Sequence, residues 1–250
     1  MSSILGVKVA ASSYADVVAK SLDWANSSDS RTLIFANVHV VMEAFDDPVY
    51  REYLNKADMV SPDGVPLVWA LKLLGQRDAA RVYGPDCTLA MIKGAAEHRV
   101  PVGFYGGSQQ VLDELLRVVV RDYPQLEIPF AVSPPFRQLT PEEDNEIVRQ
   151  IRESGARILF VGLGCPKQER WMLEHQGSVP AVMFGVGAAF DFIAGAKKQA
   201  PRWMMNSGLE WAFRFATEPK RLAQRYIKNN PRFLVLFARQ LLGDRLNESV

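Results

Sequence analysis

The chain has 250 residues, 48% of them hydrophobic, with 28 acids against 29 bases and a net charge of +1. That length and apolar content support a full core in one α/β domain with a smaller appendage, and they exclude a disordered chain. Two cysteines, Cys87 and Cys165, exclude a disulfide framework or a zinc site and suit a reducing compartment.

At the N-terminus, Met1 to Ser13 carries no basic leader and Lys8 interrupts the apolar stretch, so no export signal is predicted. No window reaches the roughly 18 apolar residues of a spanning helix. From about Arg31 to Gly187, short β-branched or apolar runs alternate with helix-like stretches. This pattern predicts a Rossmann-like, mostly parallel sheet with helices on both faces. The first clear strand, Thr32 to Phe35, runs into Asn37 and His39, and a lone histidine there is as a rule a packed side chain. A brief strand ending at Pro62 turns at Asp63-Gly64. The pair is ordinary turn chemistry, and it also places a carboxylate where α/β sheets bind ligands. Arg81, in Arg81-Val82-Tyr83-Gly84, is either a solvated base or a phosphate clamp.

A strand over Val102 to Tyr105 then enters Gly106-Gly107-Ser108, which opens a helix ending near Asp122. Bare backbone amides at a helix start suit a phosphate, and a tight turn that needs glycine for positive φ reads equally well. Thr140-Pro141-Glu142-Glu143 is a capping box with proline at the first helical position, so a helix is predicted to run to about Glu153. A strand at Ile158 to Val161 leads into Gly162-Leu163-Gly164-Cys165-Pro166-Lys167-Gln168-Glu169-Arg170. Lys167, Gln168 and Arg170 crowd polar and cationic groups at a helix start, as a bound anion would ask. The two glycines resemble a dinucleotide fingerprint, but Lys167 stands at the third glycine position and no acid follows about 20 residues later, which argues against a nicotinamide-dependent oxidoreductase. The last strand is Ala181 to Phe184.

Near residues 195 to 202 the character changes to helix, giving a core over 1–195 and a helical appendage over 196–250. From Lys197 onward there are eleven bases and four acids, a local charge of +7 against −6 for everything before it. Such an end suits an anionic partner. Arg214, Arg221 and Arg225 have the seven- and four-residue spacings of one basic helix with interleaved aromatics, backed by the apolar run Phe233 to Ala238. Nucleic-acid binding would need stacking aromatics on an open face, whereas Trp203, Trp211 and Phe215 are spaced as core anchors.

Taken together, Ala57-Asp58, Asp63-Gly64, RVYG at Arg81 to Gly84, GLGCPKQE at Gly162 to Glu169, FDFIAGAKKQAPRW at Phe190 to Trp203 and GLEWAFRFATEPKRLAQRY at Gly208 to Tyr226 resemble the WecG/TagA/CpsF glycosyltransferases. The resemblance implies a metal-independent, cofactor-free inverting transferase that moves a sugar from a UDP-sugar to a polyprenyl-diphosphate-linked saccharide. It would work at the cytoplasmic face of the membrane, with the basic segment on the anionic surface. It further implies Asp63 as the base and Gln168 as an orienting residue. Arg81, Lys167 and Arg170, with the amides of Gly106, Gly107, Gly162 and Gly164, become candidates for the donor, and Asn37 and His39 for contacts at the neighbouring corner. Arg214, Arg221 and Arg225 become candidates for the membrane or the acceptor diphosphate. An appendage this aromatic is also suited to packing between subunits. Two departures from the family pattern stand out: Phe35 where a threonine is common, and Gln199 where arginine is usual.

Overall fold

The computed structural model describes residues 1–247, without the side chains of Asn206, Arg221, Gln224, Arg225 and 244–247. In chain order the elements are β1 (Ser2–Ile4), β2 (Val7–Val9), α1 (Tyr14–Ser27), β3 (Arg31–Ala36), α2 (Val38–Asp46), α3 (Pro48–Lys56), β4 (Met59–Pro62), α4 (Val65–Leu73), α5 (Gly84–His98) and β5 (Val102–Gly106). They continue through α6 (Gln109–Asp122), β6 (Phe130–Val132), α7 (Pro141–Ser154), β7 (Ile158–Gly162), α8 (Lys167–Glu174), β8 (Val182–Gly185), α9 (Ala189–Ile193), α10 (Arg202–Asn206), α11 (Glu210–Thr217) and α12 (Pro219–Asn247).

Six strands form one parallel sheet in the order β4-β3-β8-β7-β5-β6. A parallel sheet covered on both faces needs strands that are apolar at every position rather than at alternate ones. In β3, Leu33 and Phe35 enter one core cluster while Ile34 and Ala36 enter the other, across the sheet. Phe104, Phe160, Phe184 and Phe190 form a chain of ring contacts, with centroids 5.3 to 5.8 Å apart, that fills one of these layers.

Local chemistry sets the helix starts. Thr140 Oγ1 accepts from Glu143 N at 3.3 Å and the Glu143 carboxylate accepts from Thr140 N at 2.9 Å, so α7 begins on the capping box read in the sequence. Thr140→Ala is expected to cost about 1 kcal/mol, a fall of roughly 2–4 °C in Tm for a chain of this size, measured by thermal unfolding.

Two features depart from the sequence expectations. The first is the hairpin of β1 and β2, whose turn residues Leu5 and Gly6 both take positive φ (50° and 87°) without an Asn-Gly or Asp-Gly signal. The second is the basic tail. Arg214 lies on α11 while Arg221 and Arg225 fall on α12, so the three arginines do not share one helix face. Pro219 is the reason. It starts a new helix and keeps Glu218 out of the helical region, at φ −132° and ψ 55°, which ends α11 at Thr217.

The segment after Pro201 lies against the rest of the chain. Phe233 and Phe237 are buried and stack on each other at 5.9 Å. Arg232 forks onto Asp46 with 2.5 and 2.6 Å bonds, and Gln240 clamps the N-terminal hairpin by accepting from Leu5 N and donating to Ser3 O. The apolar run is therefore split: Phe233 and Phe237 face inward while Leu234 and Val235 face solvent.

Candidate functional site

The carboxyl ends of the strands share one edge, where parallel sheets receive ligands. Two cavities open there. One, of about 780 Å³, lies over the ends of β3, β4, β7 and β8 and is lined by Phe35, Asn37, Asp63, Tyr83, Gly164, Gln168, Glu169, the 185–189 turn and Arg214. The other, of about 710 Å³, lies between α2, α4 and the C-terminal helices and is lined by Asn37, His39, Asp63, Gly64, Arg81, Glu210, Trp211, Arg214, Tyr226 and Asn229. Both spaces are partly open to solvent. Asn37, Asp63 and Arg214 line both, so the two spaces meet at these side chains.

Asp63 is held at this junction by its backbone. Its N–H donates to Ala36 O at 2.8 Å, which ties the end of β4 to the end of β3. Burial raises its carboxyl from an ordinary value of 3.8 to about 6; the positive charge of Arg81 pulls the other way, and Glu210 adds to the rise. The side chain keeps 18% of its surface open. Arg81 reaches Asp63 twice, through a short bond from Nε to the backbone carbonyl and a 3.4 Å contact from Nη2 to Oδ1. The same Nη2 donates to Glu210 Oε2 at 2.5 Å, and the guanidinium lies 4.4 Å over the ring of Tyr83. Glu210 in turn has Arg214 Nη1 at 4.0 Å from Oε1. Arg214 lies over Phe192 at 5.6 Å, and its buried Nε has no hydrogen-bond partner among the described residues. Four charges of alternating sign therefore run from the sheet edge to α11.

Gln168 is 4% exposed, and both ends of its carboxamide are engaged. Oε1 accepts from Gly164 N at 3.1 Å and Gly187 N at 3.0 Å, while Nε2 donates to Glu169 Oε1 at 2.8 Å. It thus staples the loop after β7 to the loop after β8 and spends the Gly164 amide internally. Glu169 is wholly buried, which raises its carboxyl above the usual range. Asn37 caps α2 through bonds to His39 N and Val40 N. His39 Nδ1 lies 3.3 Å from Asn229 Nδ2 of α12 and 3.5 Å from Glu43.

Other sequence candidates stand elsewhere. Lys167 is exposed, and Arg170 donates to Asp47 Oδ2 at 2.5 Å while lying over Tyr50 at 5.3 Å; neither lines either cavity. The phase of α8 explains it, because Gln168, Glu169, Trp171 and Met172 are the positions turned inward. Gly106, Gly107 and Gly162 also stay outside both cavities. Gly106 and Gly162 serve close packing, since a Cβ on Gly106 would lie 2.5 Å from the Gly162 carbonyl carbon and one on Gly162 would lie 2.7 Å from the Phe190 ring, while Gly107 takes the positive φ of a turn, 71°. Arg221 and Arg225 lie outside the described side chains. Phe35 packs beside Gly84 and Phe184 at the wall of the sheet cavity. Sequence reasoning missed Glu210, although it is the one acid between Arg202 and Thr217 and stands inside the GLEW stretch.

Among the described residues no helix is long and apolar enough to cross a membrane. Residues 2–247 match the model of the glycosyl transferase WecG/TagA/CpsF family. Over 190 residues the chain is 32% identical to the N-acetylglucosaminyldiphosphoundecaprenol N-acetyl-beta-D-mannosaminyltransferase of Bacillus spizizenii, covering 76% of this chain and 72% of that protein.

Proposed function

Since this chain belongs to the glycosyl transferase WecG/TagA/CpsF family, we propose that it transfers a sugar, with inversion, from a UDP-sugar to a polyprenyl-diphosphate-linked saccharide. N-Acetylmannosamine is the first donor to test, because that sugar is in the name of the Bacillus relative; its uronic acid and glucose are the others. The observation that carries the reading is the place of Asp63, where two cavities meet at the sheet edge beside Arg81 and Arg214.

In this reading the donor sits in the sheet cavity and the acceptor sugar in the cavity walled by α11 and α12. Asp63 takes the proton of the acceptor hydroxyl as that oxygen bonds to the anomeric carbon. The bond from that carbon to the phosphate oxygen breaks on the opposite face, and its electron pair leaves on UDP. A carboxyl at about 6 is well placed for this work, being ionised near neutral pH yet far more basic than a solvated aspartate. Arg214, which lines both cavities, meets the charge that grows on the departing diphosphate, the role that a preorganised cation fills best in a site shielded from water. Gln168 contributes by fixing the two loops that floor the donor site. Trp211 and Tyr226, in edge contact at 6.3 Å, offer the acceptor sugar an aromatic wall.

The test is to offer the full chain a panel of UDP-sugars with a short-chain polyprenyl-diphosphate acceptor and to measure released UDP. One donor is expected to turn over, at a rate that a chelator leaves unchanged. No release from any donor would defeat the reading.

We also place the chain at the membrane surface as a peripheral protein. Lys220 and Lys228, with Arg221 and Arg225 between them, put four bases on the first turns of α12. Each contributes roughly 1 kcal/mol near an anionic leaflet. Full-length protein is expected to co-sediment with phosphatidylglycerol vesicles and to be released by added salt. Equal sedimentation with neutral vesicles would show that charge is not the cause.

A further inference from the structure

Arg81 and Asp63 are close enough for the paired-bond fork that arginine commonly makes with a carboxylate, yet they do not make it. Nε is spent on the Asp63 backbone carbonyl, and Nη2, the group that could reach the carboxylate, is 3.4 Å from Oδ1 but 2.5 Å from Glu210 Oε2. Glu210 comes from α11, is 12% exposed, and is drawn from its other side by Arg214 at 4.0 Å. We propose that Glu210 is a positioning residue for Asp63: it claims the outer nitrogen of Arg81 and so prevents that guanidinium from closing on the carboxylate that must accept a proton. The inference rests on the reading of Asp63 as the base.

The physical reason is competition for one cation. An arginine bound fully to an aspartate lowers its pKa by about 1–3 units, which would leave a base too weak for an alcohol proton. Asp63 instead sits well above the ordinary value. The groups facing it are Arg81 and Tyr83 from the segment before α5, Cys87 of α5, the Gly84 amide, and Glu210 and Arg214 of α11. His39 of α2 and Tyr226 of α12 line the same cavity. Of these, Glu210 is the anion in contact with Arg81. A consequence follows for the fold: the strength of the base depends on α11 being docked, because the residue that frees it lies 147 positions further along the chain than Asp63.

The experiment is the pH dependence of kcat/KM for UDP release by the full chain and by Glu210→Gln. The parent is expected to lose activity on the acid side near pH 6. In Glu210→Gln the acid limb should move down by about one unit or more as Arg81 turns to Asp63. Plateau kcat should fall several-fold with the weaker base, and Glu210→Asp should give a limb between the two. A helix contact that merely held α11 in place would not move the limb. If activity falls in Glu210→Gln while the limb stays where it is, the inference is overturned and Asp63 remains the base. If Asp63→Asn, assayed beside it, still turns over, it is the base itself that fails. Should Glu210→Gln not fold, Glu210→Asp reads the same limb: a downward shift supports the inference and an unmoved limb overturns it.

Discussion

Replacing Asp63 by Asn is expected to lower kcat by about 10²- to 10⁴-fold, the usual worth of a positioned general base, while UDP affinity stays as it was. The amide keeps the shape of the carboxylate and still accepts from Arg81, but it cannot take the proton of the acceptor hydroxyl. The same substitution should raise stability at neutral pH. Burial lifts the folded-state value to about 6 from an ordinary 3.8, so the folded protein holds this proton more tightly than the unfolded chain does. Below the ordinary value both states are protonated and the group costs nothing. Between there and about pH 6 the unfolded chain ionises first, and stability falls with each rise in pH; above pH 6 the cost is complete. Removing it should return on the order of 1–3 kcal/mol at pH 8, read as a higher denaturation midpoint. A gain in stability coupled to a loss of turnover is the mark of a strained functional group. Normal turnover in Asp63→Asn would remove the mechanism, and unchanged stability at pH 8 would show that the carboxyl is better solvated than its surroundings indicate.

Arg214→Ala is expected to lower kcat by about 10²- to 10³-fold with a smaller change in the KM for the UDP-sugar, because charge on the leaving group is greatest in the transition state. The residue lines both cavities, stands over Phe192 at 5.6 Å, and has a buried Nε with no partner among the described residues. A donor held out of water without an acceptor is costly unless a ligand supplies one. Arg214→Lys should recover only part of the loss, since an ammonium gives a point charge in place of a planar fork. Steady-state kinetics with saturating acceptor separate the outcomes. A rise in KM alone, with kcat intact, would mean that Arg214 holds the ground state and does nothing for the departing phosphate.

Sequence and structure carried different parts of this picture. The alternating apolar runs, the capping box at Thr140 and the proline at position 141 are local patterns. Each is set by neighbours within a few residues, so the parallel sheet and the start of α7 were legible before any coordinates. Asp63, Arg81 and Gln168 were legible too, through the motifs that contain them. Local pattern could not give their partners. Lys167 and Arg170 looked like ligand-binding cations because they crowd a helix start, but the phase of α8 sends them outward and turns Gln168 and Glu169 in. Gly106 and Gly162 looked like an amide cradle, and only the tertiary packing shows why they are bare: a Cβ on Gly106 would strike the Gly162 backbone across β5 and β7, and one on Gly162 would strike the Phe190 ring.

By itself the sequence determined the class of fold, the family and the residues rich enough in chemistry to bear a function, because these follow from period, spacing and side-chain type. The tertiary structure alone decided which charges confront each other. Asp63, Arg81, Glu210 and Arg214 span more than half the chain, and their contacts arise from packing α11 against the sheet edge. No local propensity records that event. Arg81 Nη2 stands 2.5 Å from Glu210 and 3.4 Å from Asp63, a division set by where α11 docks on the sheet edge and by nothing local to either carboxylate.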